Sequence, residues 1–310
     1  MLIGMRNAIL AGGGSQPSGG YWGLCFTAEQ ANSTVRISKT GNPISKTILY
    51  STDAVNWSAY TIGTDIVLEN VGDKVWMKAG EGGNSGSWFT SIMANYRFKM
   101  TGLIAASGNL MSIVDGETET FTAKKFQSLF QGCTSLTTAP ALPATTLATN
   151  CYLMMFYNCR SLISAPAVLP AETLVAGTSE NNGCYGQMFY GCTSLTTAPA
   201  LPATTLASYC YPQMFRGCTS LTATPLLPAT ALPTGCYFGM FEDCTSLATV
   251  RTAQTQAWGD GTSDDPSLFW LEGVAATGTF YCPTALGTNA TITRGVSACP
   301  EGWTVINTDA

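Results

Sequence analysis

The chain of 310 residues contains no histidine. That absence removes the commonest general base, proton shuttle and metal ligand. Ser-His-Asp and Cys-His mechanisms are excluded, and no metal or cofactor is expected. Carboxylate-only chemistry needs two acids facing across a cleft; Glu117, Glu119 and Glu172 are available, but nothing in the sequence brings them together. Charge is scarce as well. Asp, Glu, Lys and Arg make up 11% of the chain, under half the ~25% usual in soluble domains, and Thr, Ser, Ala and Gly fill the difference. A net charge of −5 without basic runs argues against nucleic acid, because neutralising phosphates takes clustered Lys and Arg. No apolar run approaches the ~20 residues of a membrane-crossing helix, so no membrane insertion is expected. The stretch Ala8-Ile9-Leu10-Ala11 is shorter than the ~7–15 residues of a signal-peptide core, which leaves either a chain supplied without its signal or one that reaches its workplace without the Sec route, the reading that Met1 favours.

What the chain has in abundance is repetition. Cys133 to Ala148 reads CTSLTTAPALPATTLA, and Cys192 to Ala207 reads the same sixteen letters. The phrase Phe-x-(Gly/Asn/Asp)-Cys ends at Cys133, Cys159, Cys192, Cys218 and Cys244, at intervals of 26, 33, 26 and 26 residues. Periods of this length mark stacked units, none of which buries its apolar face alone. The first half of each unit is short, rich in Thr and Leu, and punctuated by prolines such as Pro140 and Pro143, which predicts a very short strand. In the second half, Cys151, Tyr152, Met155, Phe156 and Cys159 fall at i, i+1, i+4, i+5 and i+8, a spacing that predicts about two turns of helix. The 33-residue interval holds an inserted Val168 and six further residues within 175–182, a polar stretch that predicts a projecting loop.

The twelve cysteines read as buried thiols. Eight residues of helix separate a unit's pair by ~12 Å, beyond the ~7 Å reach of a disulfide, and the spacing fits no zinc site. A bridge between equivalent cysteines of neighbouring units stays geometrically open at the ~5 Å spacing of paired strands.

The units Phe-Gln-Gly-Cys-Thr-Ser-Leu, Phe-Tyr-Gly-Cys-Thr-Ser-Leu, Phe-Arg-Gly-Cys-Thr-Ser-Leu and Phe-Glu-Asp-Cys-Thr-Ser-Leu resemble BspA-type leucine-rich repeats. These are abundant in surface proteins of gut Bacteroidota and in proteins encoded by their phages. The resemblance covers about residues 106–250 and implies adhesion or recognition; it implies no catalytic residue.

Residues 21–105 read as all-β, with strands expected at Leu24–Thr27, Thr34–Ser38, Thr47–Ser51, Ile66–Leu68, Val75–Lys78 and Tyr96–Gly102, separated by turn signals. Such spacing suggests a small sandwich. Within it, Ser51-Thr52-Asp53-Ala54-Val55-Asn56-Trp57 resembles an Asp-box hairpin without its glycine. The Gly80–Ser87 stretch lacks the Lys-Ser/Thr ending of a phosphate loop and reads as a hairpin tip. Asp260, Asp264 and Asp265 fit no calcium loop and read as a solvated turn. Trp258, Phe269, Trp270, Phe280 and Trp303 look like the apolar plug of a C-terminal cap.

The expected architecture is therefore multidomain. A Gly-rich arm (1–20) precedes an N-terminal all-β sandwich (21–105), an α/β leucine-rich-repeat solenoid (106–250) and a C-terminal cap (251–310). The expected function is non-enzymatic recognition. In the first reading the chain is a phage virion component, docked on other virion proteins through its N-terminal region and binding a host surface glycan or protein through the solenoid. The alternative is a bacterial cell-surface adhesin; a homo-oligomer is compatible with both. Candidate contacts are Thr137, Thr196 and Thr222 on the strand face, with Gly177, Thr178, Ser179, Glu180, Asn181 and Asn182 as a rim.

Overall fold

The computed structural model describes residues 23–39, 47–80, 96–113, 126–255, 265–288, 290–295 and 297–308. Its N-terminal part is a sandwich of β1 (Leu24–Ala28), β2 (Ser33–Lys39), β3 (Ile48–Ser51), β4 (Ser58–Ala59), β5 (Ile66–Leu68), β6 (Lys74–Ala79), β7 (Tyr96–Thr101) and β8 (Ile104–Ser107). Period-2 alternation drives it: Val35 and Ile37 on β2, and Val75 and Met77 on β6, point inward while their neighbours face out. One sheet runs β4-β3-β6-β1-β8 and the other β5-β2-β7. The sandwich expected from the sequence is thus present, with β4 and β8 added.

The first sheet does not stop at the sandwich. Strand β8 pairs in parallel with β9 (Leu136–Thr138) of the first repeat. At the far end β10 (Ala223–Leu227), β11 (Thr249–Thr252), β12 (Thr279–Cys282) and β13 (Thr304–Asn307) form a parallel sheet in that order. Between them, isolated parallel bridges such as Thr138 to Ser164 and Ser164 to Thr197 carry the same ladder.

The α/β leucine-rich-repeat solenoid expected for 106–250 is overturned, because the predicted helices are not there. Strand makes up 29% of the structure and helix 2%; the described residues hold one 3-10 turn, Leu110–Ile113, and no α-helix. The segment read as helical is a ribbon of consecutive β-turns. Within one rung, the N–H groups of Cys151, Leu153, Met155, Tyr157 and Cys159 donate to carbonyls three residues back at 3.1–3.3 Å. The intervening N–H groups of Tyr152, Met154, Phe156 and Asn158 cross to Cys184, Gly186, Met188 and Tyr190 of the next rung at 2.7–3.0 Å. Every fourth residue takes a left-handed φ: Asn150 (57°), Met154 (55°) and Asn158 (57°).

Spacing explains why turns replace helix. Packed helices need axes ~8–10 Å apart, whereas strands pair at ~4.8 Å. Neighbouring phenylalanine rings in this stack lie 5.3–5.5 Å apart from Phe130 to Phe241, which holds the turn side near strand spacing. A ribbon that exports half its N–H groups to the next rung satisfies both sides at one pitch.

Two aromatic columns fill the core. One runs Phe98, Phe130, Phe156, Phe189, Phe215, Phe241, with planes within 10° of parallel. The other runs Phe126, Tyr152, Tyr185, Tyr211, Tyr237. Both end on Trp270, which stacks on Tyr237 at 5.9 Å and meets Phe241 edge-on at 6.4 Å. Its register explains the double contact. Phe215 N–H donates to Met240 O, and Phe241 N–H donates to Trp270 O, so Trp270 takes the methionine place, which lies between the two columns.

The same register extends the stack beyond the five units visible in the sequence. Phe98 of β7 heads the phenylalanine column, and its carbonyl accepts from Cys133 Sγ as that of Phe130 accepts from Cys159 Sγ, both at 3.0 Å. Thr249 pairs with Thr279 and Thr279 with Thr304. The cysteine position is therefore occupied in turn by Cys133, Cys159, Cys192, Cys218, Cys244, Val274 and Cys299, while Thr101 at the matching count on β7 is exposed and bonds Thr34. Strands β7 and β8 of the sandwich serve as the first rung of the stack.

Candidate flank surfaces of the stack

Besides the turn ribbon, three series of parallel bridges run along the stack, one through Ser164, one through Val168 and Ala200, and one through Thr173, and each defines a flank. The first carries the strand ladder. Thr196 and Thr222 are exposed there, with Ile163 (50% exposed) at the same register position one rung earlier, and Ser164 and Thr197 exposed beside them. Thr137, the third threonine expected on this face, is 6% exposed. Its hydroxyl lies 2.7 Å from Glu29 Oε2 and 3.2 Å from Ile104 O, because the turn after β1 folds over the first rung.

The inserted loop sits elsewhere. It follows the third flank, on which exposed Thr146, Thr173 and Thr205 form a parallel ladder; the sequence reading did not single these out. Asn182 organises the loop from within. Its Oδ1 accepts from the backbone N–H of Thr178 at 2.6 Å and of Ser179 at 3.3 Å, while Nδ2 donates to their hydroxyls. Asn181 Nδ2 donates to Glu180 Oε1, Gly177 N–H reaches Ser208 O of the next rung, and Gly183 N–H reaches Asn150 Oδ1. Thr196 and Thr222 thus share one flank, and Gly177 to Asn182 border another.

The second flank holds a shallow apolar trough of about 480 Å³, lined by Ala167, Ala198, Ala200, Leu201 and the prolines 202, 225 and 228, with Leu226 (59% exposed) at its end. A formal charge borders this end: Arg251 pairs with Leu226 in register and lies over the Tyr281 ring, while on the ribbon Arg216 pairs with Glu242 at 2.7 Å and lies over the Tyr190 ring.

The cysteines face inward and all twelve are free thiols. Cys159, Cys192, Cys218 and Cys244 each donate Sγ–H to the phenylalanine carbonyl of the preceding rung at 3.0–3.1 Å. Those carbonyls already close their own turns: Phe130 O, for example, accepts from Cys133 N–H as well as Cys159 Sγ. The thiol fills the second lone pair of a buried carbonyl, yet packs as a small hydrophobe. Burial pushes the thiols up, Cys133 and Cys192 to about 12, which keeps them protonated and unreactive.

The Asp53 carboxylate is consumed by its own turn. It accepts from Ser51 Oγ, the N–H groups of Val55 and Asn56, and Asn56 Nδ2 at 2.7–2.8 Å. The Asn56 and Val55 bonds hold its pKa far below the usual carboxylate range. Asp265 is buried and accepts from Ser267 N–H and Oγ. Asp260, Asp264, Trp258, Glu117 and Glu119 lie outside the described residues, as does most of Gly80–Ser87. Among the described residues no group of three acids or cysteines is placed to hold a metal, and no helix is long and apolar enough to cross a membrane. In the cap, Trp270, Phe280 and Trp303 are buried, while Phe269 is 38% exposed.

No family model, no curated protein and no solved structure matches the chain.

Proposed function

We propose that this is a non-enzymatic recognition and structural protein, a phage virion component of fibre or decoration type that presents the flanks of its stack for host-cell or mucosal attachment. The observation that carries the reading is the first flank: uncharged side chains, Ile163, Thr196 and Thr222 among them, exposed and repeated at rung spacing on a rigid core. Such a surface offers hydroxyls and methyl groups to a neutral glycan or a protein surface and little electrostatic steering. The N-terminal region, sandwich included, carries the attachment to other virion proteins in this reading. Twelve buried thiols favour folding in a reducing compartment followed by lysis over export through an oxidising one.

Fractionation tests it. Phage particles and the outer-membrane fraction from one culture are each searched for this chain by peptide mass spectrometry. Co-purification with particles at fixed stoichiometry is the expected outcome. Recovery in the membrane fraction alone overturns the virion reading in favour of a bacterial adhesin.

A further inference from the structure

The apolar trough of the second flank has an occupant within reach. Its ladder starts at Gly23, which pairs in parallel with Asn109, and Asn109 with Ala141; further along, Val168 pairs with Ala200. Gly23, the first described residue, therefore lies on the flank that holds the trough. The chain before it has two parts by sequence. Leu2, Ile3, Met5, Ala8, Ile9 and Leu10 make an apolar head whose only charged side chain is Arg6, and residues 12–20 are GGGSQPSGG. We propose that residues 2–10 dock in the trough of their own chain, against Ala167, Ala200 and Leu226.

Reach supports the assignment. From Gly23 to Ala200 is four rung steps, about 19 Å at ~4.8 Å each. Residues 12–22 number eleven, and a Gly/Ser-rich chain of that length has a root-mean-square span of about 18 Å. Effective concentration peaks when the span of a tether matches the separation it bridges, and reaches the millimolar range. Chemistry agrees, since the residues lining the trough carry no charge and Leu226 is 59% exposed; Arg251 borders Leu226 in register and keeps its hydration only if the head settles on the Ala167 and Ala200 side. The proposal stands independently of the virion reading.

The test uses the full chain with a photo-crosslinking amino acid in place of Leu226. Irradiation of the monomer is expected to join this position to a peptide from residues 1–11. Ala200→Asp in the trough, and separately Ile9→Asp in the head, are each expected to reduce the link at least tenfold. Ala200 is exposed and the head lies outside the described stack, so the two variants report docking by independent routes. A link to the same segment of a second copy, a link elsewhere, no link, or a link unchanged in both variants overturns the proposal.

Discussion

Asn158 distinguishes a ribbon of turns from a helix by the sign of one difference. It sits with φ of 57° where other rungs carry Gly132, Gly191 and Gly217, all at positive φ. Asn158→Ala and Asn158→Gly remove the same amide, so comparing them isolates the backbone. In a helix interior alanine is the better residue by ~1 kcal/mol. In the left-handed region a residue with Cβ costs ~1–2 kcal/mol that glycine does not incur. The structure therefore predicts Asn158→Gly to be more stable than Asn158→Ala by ~1–2 kcal/mol, a swing of ~2–3 kcal/mol from the helical expectation. Urea denaturation followed by tryptophan fluorescence reads this as a midpoint separation between the two variants, at unchanged slope. An alanine variant as stable as the glycine variant, or more so, refutes the ribbon.

Four further outcomes follow from the same packing. Phe189→Ala removes a fully buried ring stacked on Phe156 and Phe215 and is expected to cost ~3–5 kcal/mol, measured by the same denaturation. Tyr185→Phe deletes a buried hydroxyl that has no hydrogen-bond partner and is expected to stabilise by ~1 kcal/mol; a loss of stability contradicts that account. Under native conditions at pH 8 a disulfide-exchange reagent should label none of the repeat thiols, and in urea all of them; rapid native labelling refutes their burial. The Asp53 turn is expected to hold above the ordinary carboxylate pKa of ~3.9 and to loosen only as pH falls towards the folded value, because its pKa is lowered on folding. Amide chemical shifts of Val55 and Asn56 follow this transition, which Asp53→Ala should abolish.

The sandwich strands and the stacked repeat were readable because their signals are local: alternation on β2 and β6, and a motif recurring with its cysteine at fixed offsets. The turn ribbon was misread because its inward pairs repeat every four residues. Over nine residues that period is hard to tell from 3.6, and Cys151, Met155 and Cys159 satisfy both. The discriminating signal lay in the residues between them. Asn150 and Asn158, Gly183 and Gly191, and Gly235 and Gly239 stand at four-residue steps or multiples of four, and Pro212 sits inside one ribbon, where a helix would tolerate none of them well. Thr137 failed as a site residue for a different reason. Its covering partner, Glu29, is 108 positions away, and no periodicity in the repeats announces a contact with the sandwich.

The ends of the stack show what sequence repetition conceals. A repeat is recognised by letters that recur, but a rung is defined by the places its atoms occupy. Val274 holds the cysteine place without being cysteine, Trp270 holds the methionine place without being methionine, and on β7 the matching count falls on Thr101, which faces out. Each substitution occurs where a rung has an unlike neighbour. On the first rung, β7 also pairs antiparallel with β2, so its residues must serve a sandwich as well as a stack. At Trp270 one indole replaces a flexible side chain and covers the ends of both aromatic columns, with its Nε1–H donating to Ala298 O at 3.1 Å. An open stack needs such ends, because exposed ring faces and unpaired rung carbonyls would recruit other chains. The departures from the repeat thus cover the ends of the aromatic columns, while β13 remains the outer strand of its sheet with Ile306 exposed.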